Sequence, residues 1–222
     1  MNKIIILGSS GQLGKTFFKQ QHLFNNFELF FLNRNNFDFT NTIKLKNFFE
    51  EMVFDVVINL SAYTDVENSE KNKQEATLMN EILPLELSKI VLENDAILIH
   101  ISTDYVFDGI KKTPYEELDK KNPLNFYGLS KSLGENMIMK NNPKCLIIRT
   151  SWVYSEFRNN FVKKIINKCQ SSVKLSVVND QFSSPTNAYD IIMIIKYFLN
   201  SFLINELDGT DVYHFSNREV CN

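Results

Sequence analysis

Short, continuous apolar runs recur along the chain, each followed by a polar turn and a longer stretch of helical character. Ile4-Ile-Ile-Leu7, Glu28-Leu-Phe-Phe-Leu32, Asp55-Val-Val-Ile-Asn-Leu60, Ala96-Ile-Leu-Ile-His-Ile-Ser102 and Cys145-Leu-Ile-Ile-Arg-Thr150 have strand length. Runs that are apolar at successive positions suit strands buried on both faces of a parallel sheet. The intervening segments predict helices up to about residue 21, over 42–52, over 75–94 with an interruption at Pro84, and over about 125–140. Residues 160–170 and 187–202 read as further helices, and Leu175-Ser-Val-Val178 and Val212-Tyr-His-Phe215 as short strands. Residues 65–73 are polar and acidic, a loop with a short helix. This alternation predicts an α/β fold, a doubly wound parallel sheet. Residues 1–150 would hold most of the sheet. Residues 151–222 would form a smaller lobe interleaved with its last elements.

The first strand opens directly into Gly8-Ser-Ser-Gly11-Gln-Leu-Gly14 and then a helix. Strand, glycine turn and helix in that order suit a dinucleotide: glycine lets the backbone approach a pyrophosphate, and the helix N-terminus holds the anion. The second strand ends at Asn33-Arg34 with no acid beside it. An acid there would grip a ribose 2′-hydroxyl, whereas an arginine tolerates a 2′-phosphate, so Arg34 leans toward NADPH over NADH. Asp38 either caps a turn or contacts an adenine ring.

The fourth strand delivers Thr103 at its carboxyl end, where open parallel sheets bind their ligands. His100, inside that strand, reads as a packed core residue. Tyr127 and Lys131 lie four apart in the 125–140 helix and share a face. A lysine ammonium beside the phenol would lower the tyrosine pKa from about 10 and make it a usable acid or base. Trp152, the single tryptophan, follows the fifth strand and either stacks on a sugar or fills a gap in the core.

The 222 residues carry a net charge of −2, with 44% hydrophobic and 23% charged residues. That balance gives no reason to expect nucleic acid or an anionic membrane as partner. Three cysteines, Cys145, Cys169 and Cys221, show neither metal-ligand spacing nor an even framework, which suits reduced thiols in the cytoplasm. No apolar run approaches membrane-span length, and the Lys3–Leu7 run is too short for a secretory signal, so a soluble cytoplasmic protein is expected.

Asn59-Leu-Ser-Ala-Tyr-Thr-Asp-Val-Glu67, Ser102-Thr-Asp-Tyr-Val-Phe-Asp-Gly109, Pro123-Leu-Asn-Phe-Tyr-Gly-Leu-Ser-Lys131, Arg149-Thr-Ser-Trp-Val-Tyr154 and Val178-Asn-Asp-Gln-Phe-Ser-Ser-Pro-Thr186 together resemble the extended short-chain dehydrogenase/reductase superfamily. Within it, they resemble the dTDP-4-dehydrorhamnose reductase family. The resemblance implies a Rossmann-like NAD(P)-binding fold and NAD(P)H-dependent reduction of the C4 ketone of a nucleotide-linked 6-deoxy-sugar. Tyr127 would protonate the developing alkoxide, Lys131 would lower the tyrosine pKa and hold the nicotinamide ribose, and Thr103 would hydrogen-bond the reacting oxygen. Gly8, Gly11, Gln12, Leu13 and Gly14 would serve the pyrophosphate. Asn33, Arg34, Asp38 and Phe39 would lie at the adenosine end, and Ala62, Tyr63 and Thr64 along the cofactor. Thr103, Asp104 and Trp152 would face the sugar; for Asp104 an Asx turn is the structural alternative.

Some relatives dimerise through a magnesium held by glutamates. Thr16 and Tyr189 stand at the aligned positions, so no such metal site is expected, and a homodimer is the assembly the resemblance suggests. The family pattern fades after Asn217, which predicts an incomplete sugar lobe, exposed apolar surface and a weakened substrate site. Two other readings accompany the reductase. One is a reductase or epimerase of another nucleotide sugar. The other is a non-catalytic NADP-binding regulatory subunit, as in the β subunit of methionine adenosyltransferase.

Overall fold

The computed structural model describes residues 2–170, 181–202 and 207–221. The strand expected at 175–178 lies outside the described residues. Six strands form the main sheet: β1 (Asn2–Leu7), β2 (Phe27–Leu32), β3 (Val56–Asn59), β4 (Ile97–Thr103), β5 (Cys145–Thr150) and, late in the chain, β8 (Thr210–His214). Their order is β2-β1-β3-β4-β5-β8, and every pairing is parallel. Two further strands that the apolar pattern does not reveal, β6 (Val153–Tyr154) and β7 (Thr186–Asn187), pair in a separate small sheet. Each has only two residues, too few to show periodicity.

The helices are α1 (Gln12–Lys19), α2 (Thr42–Glu50), α3 (Val66–Ser69), α4 (Lys73–Thr77), α5 (Leu83–Glu93), α6 (Phe126–Asn141), α7 (Phe161–Gln170) and α8 (Ala188–Phe202). Alternate residues of each strand point to opposite faces, so the apolar runs feed two cores. Ile5, Leu7, Val57, Leu98 and Ile147 pack with Leu45 and Phe49 of α2, Leu87 and Val91 of α5, and Ile138 of α6. On the other face Ile4, Ile6, Ile58, Ile99 and Ile148 meet Phe17 of α1 and Ile191, Ile192 and Ile195 of α8. Cover on both faces is the reason the strands lack polar alternation.

Pro84 does not interrupt the 75–94 region as expected. The chain passes from α4 through one π-type turn (Leu78–Ile82) into α5, with Pro84 in the first turn of α5. Proline lacks the N–H that an α-helix would aim at the carbonyl four residues back, that of Asn80, and the π-type turn, in which Leu83 N–H bonds the Leu78 carbonyl, carries the helix past it. Gly134 of α6 packs against that same carbonyl: a Cβ at 134 would stand 2.0 Å from Asn80 O. Gly128, one helical stretch earlier, fits as closely against the Tyr105 carbonyl, at 2.1 Å. These two glycines, on different sides of α6, thus allow it to sit directly on two neighbouring segments.

An ion pair beneath the site holds α6 to the sheet. Glu135, with no exposed surface, accepts from Arg149 Nε at 3.0 Å and Nη2 at 2.8 Å, from Lys121 Nζ at 3.0 Å and from Ser102 Oγ at 2.5 Å. Arg149 of β5 also donates to the Glu117 carbonyl and to His214 Nε2 of β8, and its guanidinium lies over the Phe107 ring. Burial pushes the Glu135 carboxyl up, but Arg149, Lys121 and Ser102 hold it below its ordinary value.

Breaking a buried pair by neutralising one partner leaves the other charge stranded. Glu135→Gln is therefore expected to cost about 3–5 kcal/mol in urea unfolding. Because the folded pKa is lowered, this contribution is present above the unfolded value of about 4.3. The gap between wild type and variant should then close as pH falls through the folded value.

Candidate functional site

In the strand order, β1 and β3 are neighbours although β2 lies between them in sequence, so the sheet reverses direction at β1/β3. Ligands of doubly wound sheets bind at that point, outside the carboxyl ends of the strands. Gly8 leaves β1 with φ +87°, and a Cβ on it would stand 2.7 Å from Ser61 N after β3. A Cβ on Gly14 would meet Gly8 O at 2.3 Å. These two glycines let the loop fold onto α1 and β3. Gly11 is different. Its φ of −74° suits any residue, and a Cβ there would touch only Gly8 O, at 3.2 Å.

Gly11 is also the N-cap of α1, whose first turn has neither a side-chain cap nor an acid. The N-terminal N–H groups and the positive end of the helix dipole therefore face the groove free of any competing side chain. Ser61 Oγ and Thr150 Oγ1, at the carboxyl ends of β3 and β5, are buried and have no hydrogen-bond partner among the described residues. An uncapped helix end, room at Gly11 and an orphaned hydroxyl beside the loop fit a bound dinucleotide.

Other residues expected to serve the cofactor take more limited roles. Gln12 donates through Nε2 to the Val153 carbonyl at 2.8 Å and accepts from Asn160 Nδ2 at 3.0 Å, while Arg158 Nε donates to Ser10 O at 3.0 Å. The 153–160 segment is thereby clasped to the glycine loop, and the Gln12 side chain is committed to that clasp. Leu13 packs against the core, so its polar contribution is its backbone N–H.

Asn33 links the second turn to the loop through Ser9 Oγ at 3.3 Å, and Arg34 is exposed. Asp38 closes a turn onto Thr40 N and Oγ1, which lowers its pKa, and Asn41 rather than Asp38 caps α2. The Phe39 ring, expected at the adenosine end, is instead 5% exposed among Leu45 and Phe49, because the aromatic run needs burial. Only its backbone can border the groove.

Ala62 is half-buried and Thr64 exposed, and both flank Tyr63. Tyr63 is pinned on both backbone groups by the fully buried Asn80. Its N–H donates to Asn80 Oδ1 at 2.8 Å, and its carbonyl accepts from Asn80 Nδ2 at 3.0 Å. Asn80 Nδ2 also donates to Ser130 of α6 at 3.0 Å. The polar helical pattern around Asn80 carries no sign of this role.

Thr103, Asp104, Tyr127 and Lys131 do converge at the end of β4. Thr103 Oγ1 donates to Asp104 Oδ1 at 3.1 Å and accepts from Tyr105 N, so the local turn is made by Thr103 rather than by Asp104. Asp104 Oδ2 accepts from Ser183 Oγ, and burial raises its carboxyl pKa against these hydrogen bonds. The Tyr105 ring stands edge-on to Tyr127, with centroids 5.6 Å apart.

The electrostatic expectation for Tyr127 is reversed. Desolvation by the groove walls pushes its phenol up to about 12; the hydrogen bond with Thr103 opposes this, and the negative field of Asp104 adds to it. Lys131 contributes nothing to the shift, because its Nζ turns to the Ile101 carbonyl at 2.7 Å and to His100 Nε2 at 3.2 Å. Burial pushes Lys131 itself down to about 8. A phenol at that value is fully protonated at neutral pH, the state a proton donor needs.

Trp152 does not fill the core. It adopts φ +44°, remains partly exposed, and tilts toward Phe161 with centroids 6.0 Å apart. Its carbonyl accepts from Thr186 N, and Ser151 Oγ donates to the Ser184 carbonyl. The small sheet thus joins Ser183 and Asp104 as one wall of the groove.

A doubly wound parallel sheet with a glycine loop at its reversal point, and threonine, tyrosine and lysine beyond β4, is the architecture of short-chain dehydrogenase/reductases. The chain belongs to the RmlD substrate binding domain family, whose pattern it matches over residues 1–222. It is 33% identical over 218 residues to a dTDP-4-dehydrorhamnose reductase of Aggregatibacter actinomycetemcomitans, covering 98% of this chain and 74% of the relative. Identity to the spore coat polysaccharide biosynthesis protein SpsK of Bacillus subtilis is 34% over 227 residues, covering 100% and 76%. Among solved structures, the dTDP-4-dehydrorhamnose reductase of Bacillus anthracis in complex with NADP superposes with a TM-score of 0.91 at 32% identity, covering 100% of this chain and 77% of that one. The Clostridium acetobutylicum reductase gives 0.90 at 35% identity, covering 99% and 75%.

Gly11→Val should leave the fold intact, since position 11 is conformationally ordinary and its one close contact, Gly8 O at 3.2 Å, is relieved by a small shift of the loop. It should weaken NADPH binding, measured by calorimetry, by at least about tenfold, because the added methyls occupy the space over the helix end. An unchanged melting temperature with lost binding would be the expected pair of results.

Proposed function

We propose that this chain reduces the C4 ketone of dTDP-4-dehydro-L-rhamnose to dTDP-L-rhamnose with NADPH, or with NADH, in the synthesis of surface polysaccharide precursors. The observation that carries this reading is the convergence of Thr103, Asp104 and Tyr127 at the carboxyl end of β4. Family membership supports it, as do the reductase names of the relatives. The Bacillus anthracis relative holds NADP, and exposed Arg34 with no acid beside it suits a 2′-phosphate.

The residues divide the work as follows. Gly8, Gly11 and Gly14 shape the loop, and the uncapped N–H groups of Gln12 and Leu13 bind the pyrophosphate. Asn33, Arg34 and the turn at Asp38 border the adenosine end, and the pinned backbone of Ala62, Tyr63 and Thr64 lines the groove. A reduced nicotinamide supplies the hydride that adds to the ketone carbon. Tyr127 gives its phenolic proton to the carbonyl oxygen as negative charge develops there, and Thr103 donates a hydrogen bond to the same oxygen. A phenol near 12 transfers readily to an alkoxide, and the resulting phenolate regains its proton from solvent through the groove. Lys131 holds the ribose side of the site, while Asp104 and Trp152 border the sugar. Residues 151–222 act as the substrate lobe. No helix among the described residues is long and apolar enough to cross a membrane, in keeping with a cytoplasmic enzyme of a soluble nucleotide sugar.

The test is NADPH and NADH oxidation by the purified chain with dTDP-4-dehydro-L-rhamnose generated in situ. Turnover is expected, and Tyr127→Phe should lower kcat by about 10²- to 10⁴-fold. Cofactor binding without turnover in the wild type would instead mark the chain as a dinucleotide-binding module.

A further inference from the structure

Asp104 is held from two sides. Its Oδ1 accepts from Thr103 Oγ1 at 3.1 Å, and its Oδ2 accepts from Ser183 Oγ at 3.2 Å. The first donor is its neighbour in sequence; the second lies 79 residues further along the chain. The backbone around that second donor is anchored on both sides. Ser183 and Cys221 form an antiparallel bridge, Ser183 N to Cys221 O at 3.0 Å and Cys221 N to Ser183 O at 2.9 Å. The Ser184 carbonyl accepts from Ser151 Oγ and Thr186 Oγ1. Further on, Asn217 takes the Asn187 N–H on its Oδ1 and donates through Nδ2 to Asp190. The segment after β8 thus braces the loop from outside, and the Ser183 hydroxyl carries that bracing to Asp104.

A count of protons shows why a second donor matters. A threonine hydroxyl has one proton to give. At rest Thr103 gives it to Asp104, whereas the reduction proposed above needs it on the carbonyl oxygen of the substrate. Turning it there strips a partly buried carboxylate of a donor, and a charged acceptor left short of donors away from water is destabilised. Ser183 Oγ, fixed by backbone contacts on the other wall of the groove, is the donor that stays.

From this we infer that Ser183 is a positioning residue: braced by the Cys221 bridge, its hydroxyl keeps the Asp104 carboxylate in place and so frees Thr103 to turn toward the reacting oxygen. The release of Thr103 rests on the reductase reading; the hold of Ser183 on Asp104 does not. Burial pushes the Asp104 carboxyl up, and the hydrogen bonds from Thr103 and Ser183 pull against it. Tyr105 beside it and Tyr127 of α6 are phenols, both pushed up by burial and then by the negative field of Asp104. Lys131 of α6 turns to the Ile101 carbonyl, and Arg149 of β5 is engaged by Glu135. Asp108 is satisfied by Tyr115 and Asn122, residues 181–187 carry no ionisable side chain, and Arg218 and Glu219 after β8 are exposed.

The hold on Asp104 can be read without substrate or cofactor, from ¹³C spectra of the full chain labelled at its aspartate carboxyls. Asp104 is assigned by loss of its signal in Asp104→Asn. Ser183 is half-buried in a loop, so Ser183→Ala is expected to fold. It should raise the midpoint of the Asp104 titration by about one unit, since a hydrogen bond to a charged group is lost. Ser183→Thr, which keeps the hydroxyl, should restore the wild-type midpoint. With NADPH and dTDP-4-dehydro-L-rhamnose, Ser183→Ala should lower kcat by about tenfold, because Asp104 then retains the Thr103 proton, and Ser183→Thr should recover it. An Asp104 midpoint that is the same in wild type and Ser183→Ala overturns the proposal, as does a kcat untouched by loss of the hydroxyl. Should Ser183→Ala fail to fold, Ser183→Cys, with a weak S–H donor of similar size, decides by the same midpoint. A wild-type chain that binds NADPH but turns over no substrate would end the reductase reading and leave the carboxyl result standing.

Discussion

The placement of α6 depends on the buried pair between Glu135 and Arg149. Tyr127 and Lys131 ride on this helix, while Thr103 and Asp104 come from the end of β4, so the site exists only if helix and sheet keep their spacing. Gly128 and Gly134 bring the helix backbone into contact with neighbouring carbonyls. Glu135 then ties it laterally to β5, β4 and Lys121. A buried ion pair is weak evidence for stability, since desolvation opposes it. Its value here is geometric: both carboxylate oxygens are saturated by donors from different elements, and few other placements of the helix would satisfy them.

Within that frame, desolvation rather than charge decides the protonation states. Lysine and tyrosine four apart on a helix suggest a lowered phenol pKa, but the lysine head turns to the β4 backbone and the phenol is pushed up. Removing water from around a neutral phenol and a cationic amine disfavours both charged forms. The phenol at rest is therefore neutral, suited to giving up a proton when negative charge appears on a substrate oxygen.

The glycine loop illustrates a different division of labour. Gly8 and Gly14 are needed by the fold, because their positions leave no room for a Cβ against Ser61 and Gly8. Gly11 is not, and it lies over the uncapped end of α1. The clasp formed by Gln12, Asn160 and Arg158 holds this loop against the second, smaller sheet, so that the nucleotide end and the 153–160 segment of the groove wall are mechanically joined.

Signals carried by neighbouring residues were legible in the sequence. The continuous apolar runs of β1 through β5 marked strands covered on both faces. The glycine spacing after β1 marked the turn, and the ends of β4 and α6 marked Thr103, Tyr127 and Lys131 as residues that would meet. Contacts between distant segments were not legible. Nothing local distinguishes Glu135 from a surface glutamate, or Asn80 from a loop asparagine, because their partners lie on other elements. Phe39 and Gln12 matched a motif, yet packing drew their side chains into the core and the clasp. Pro84 looked like a helix break, but a π-type turn carries the helix past it. The direction of the Tyr127 shift was decided only in three dimensions, since burial depends on everything that surrounds the phenol and not on the lysine one turn away.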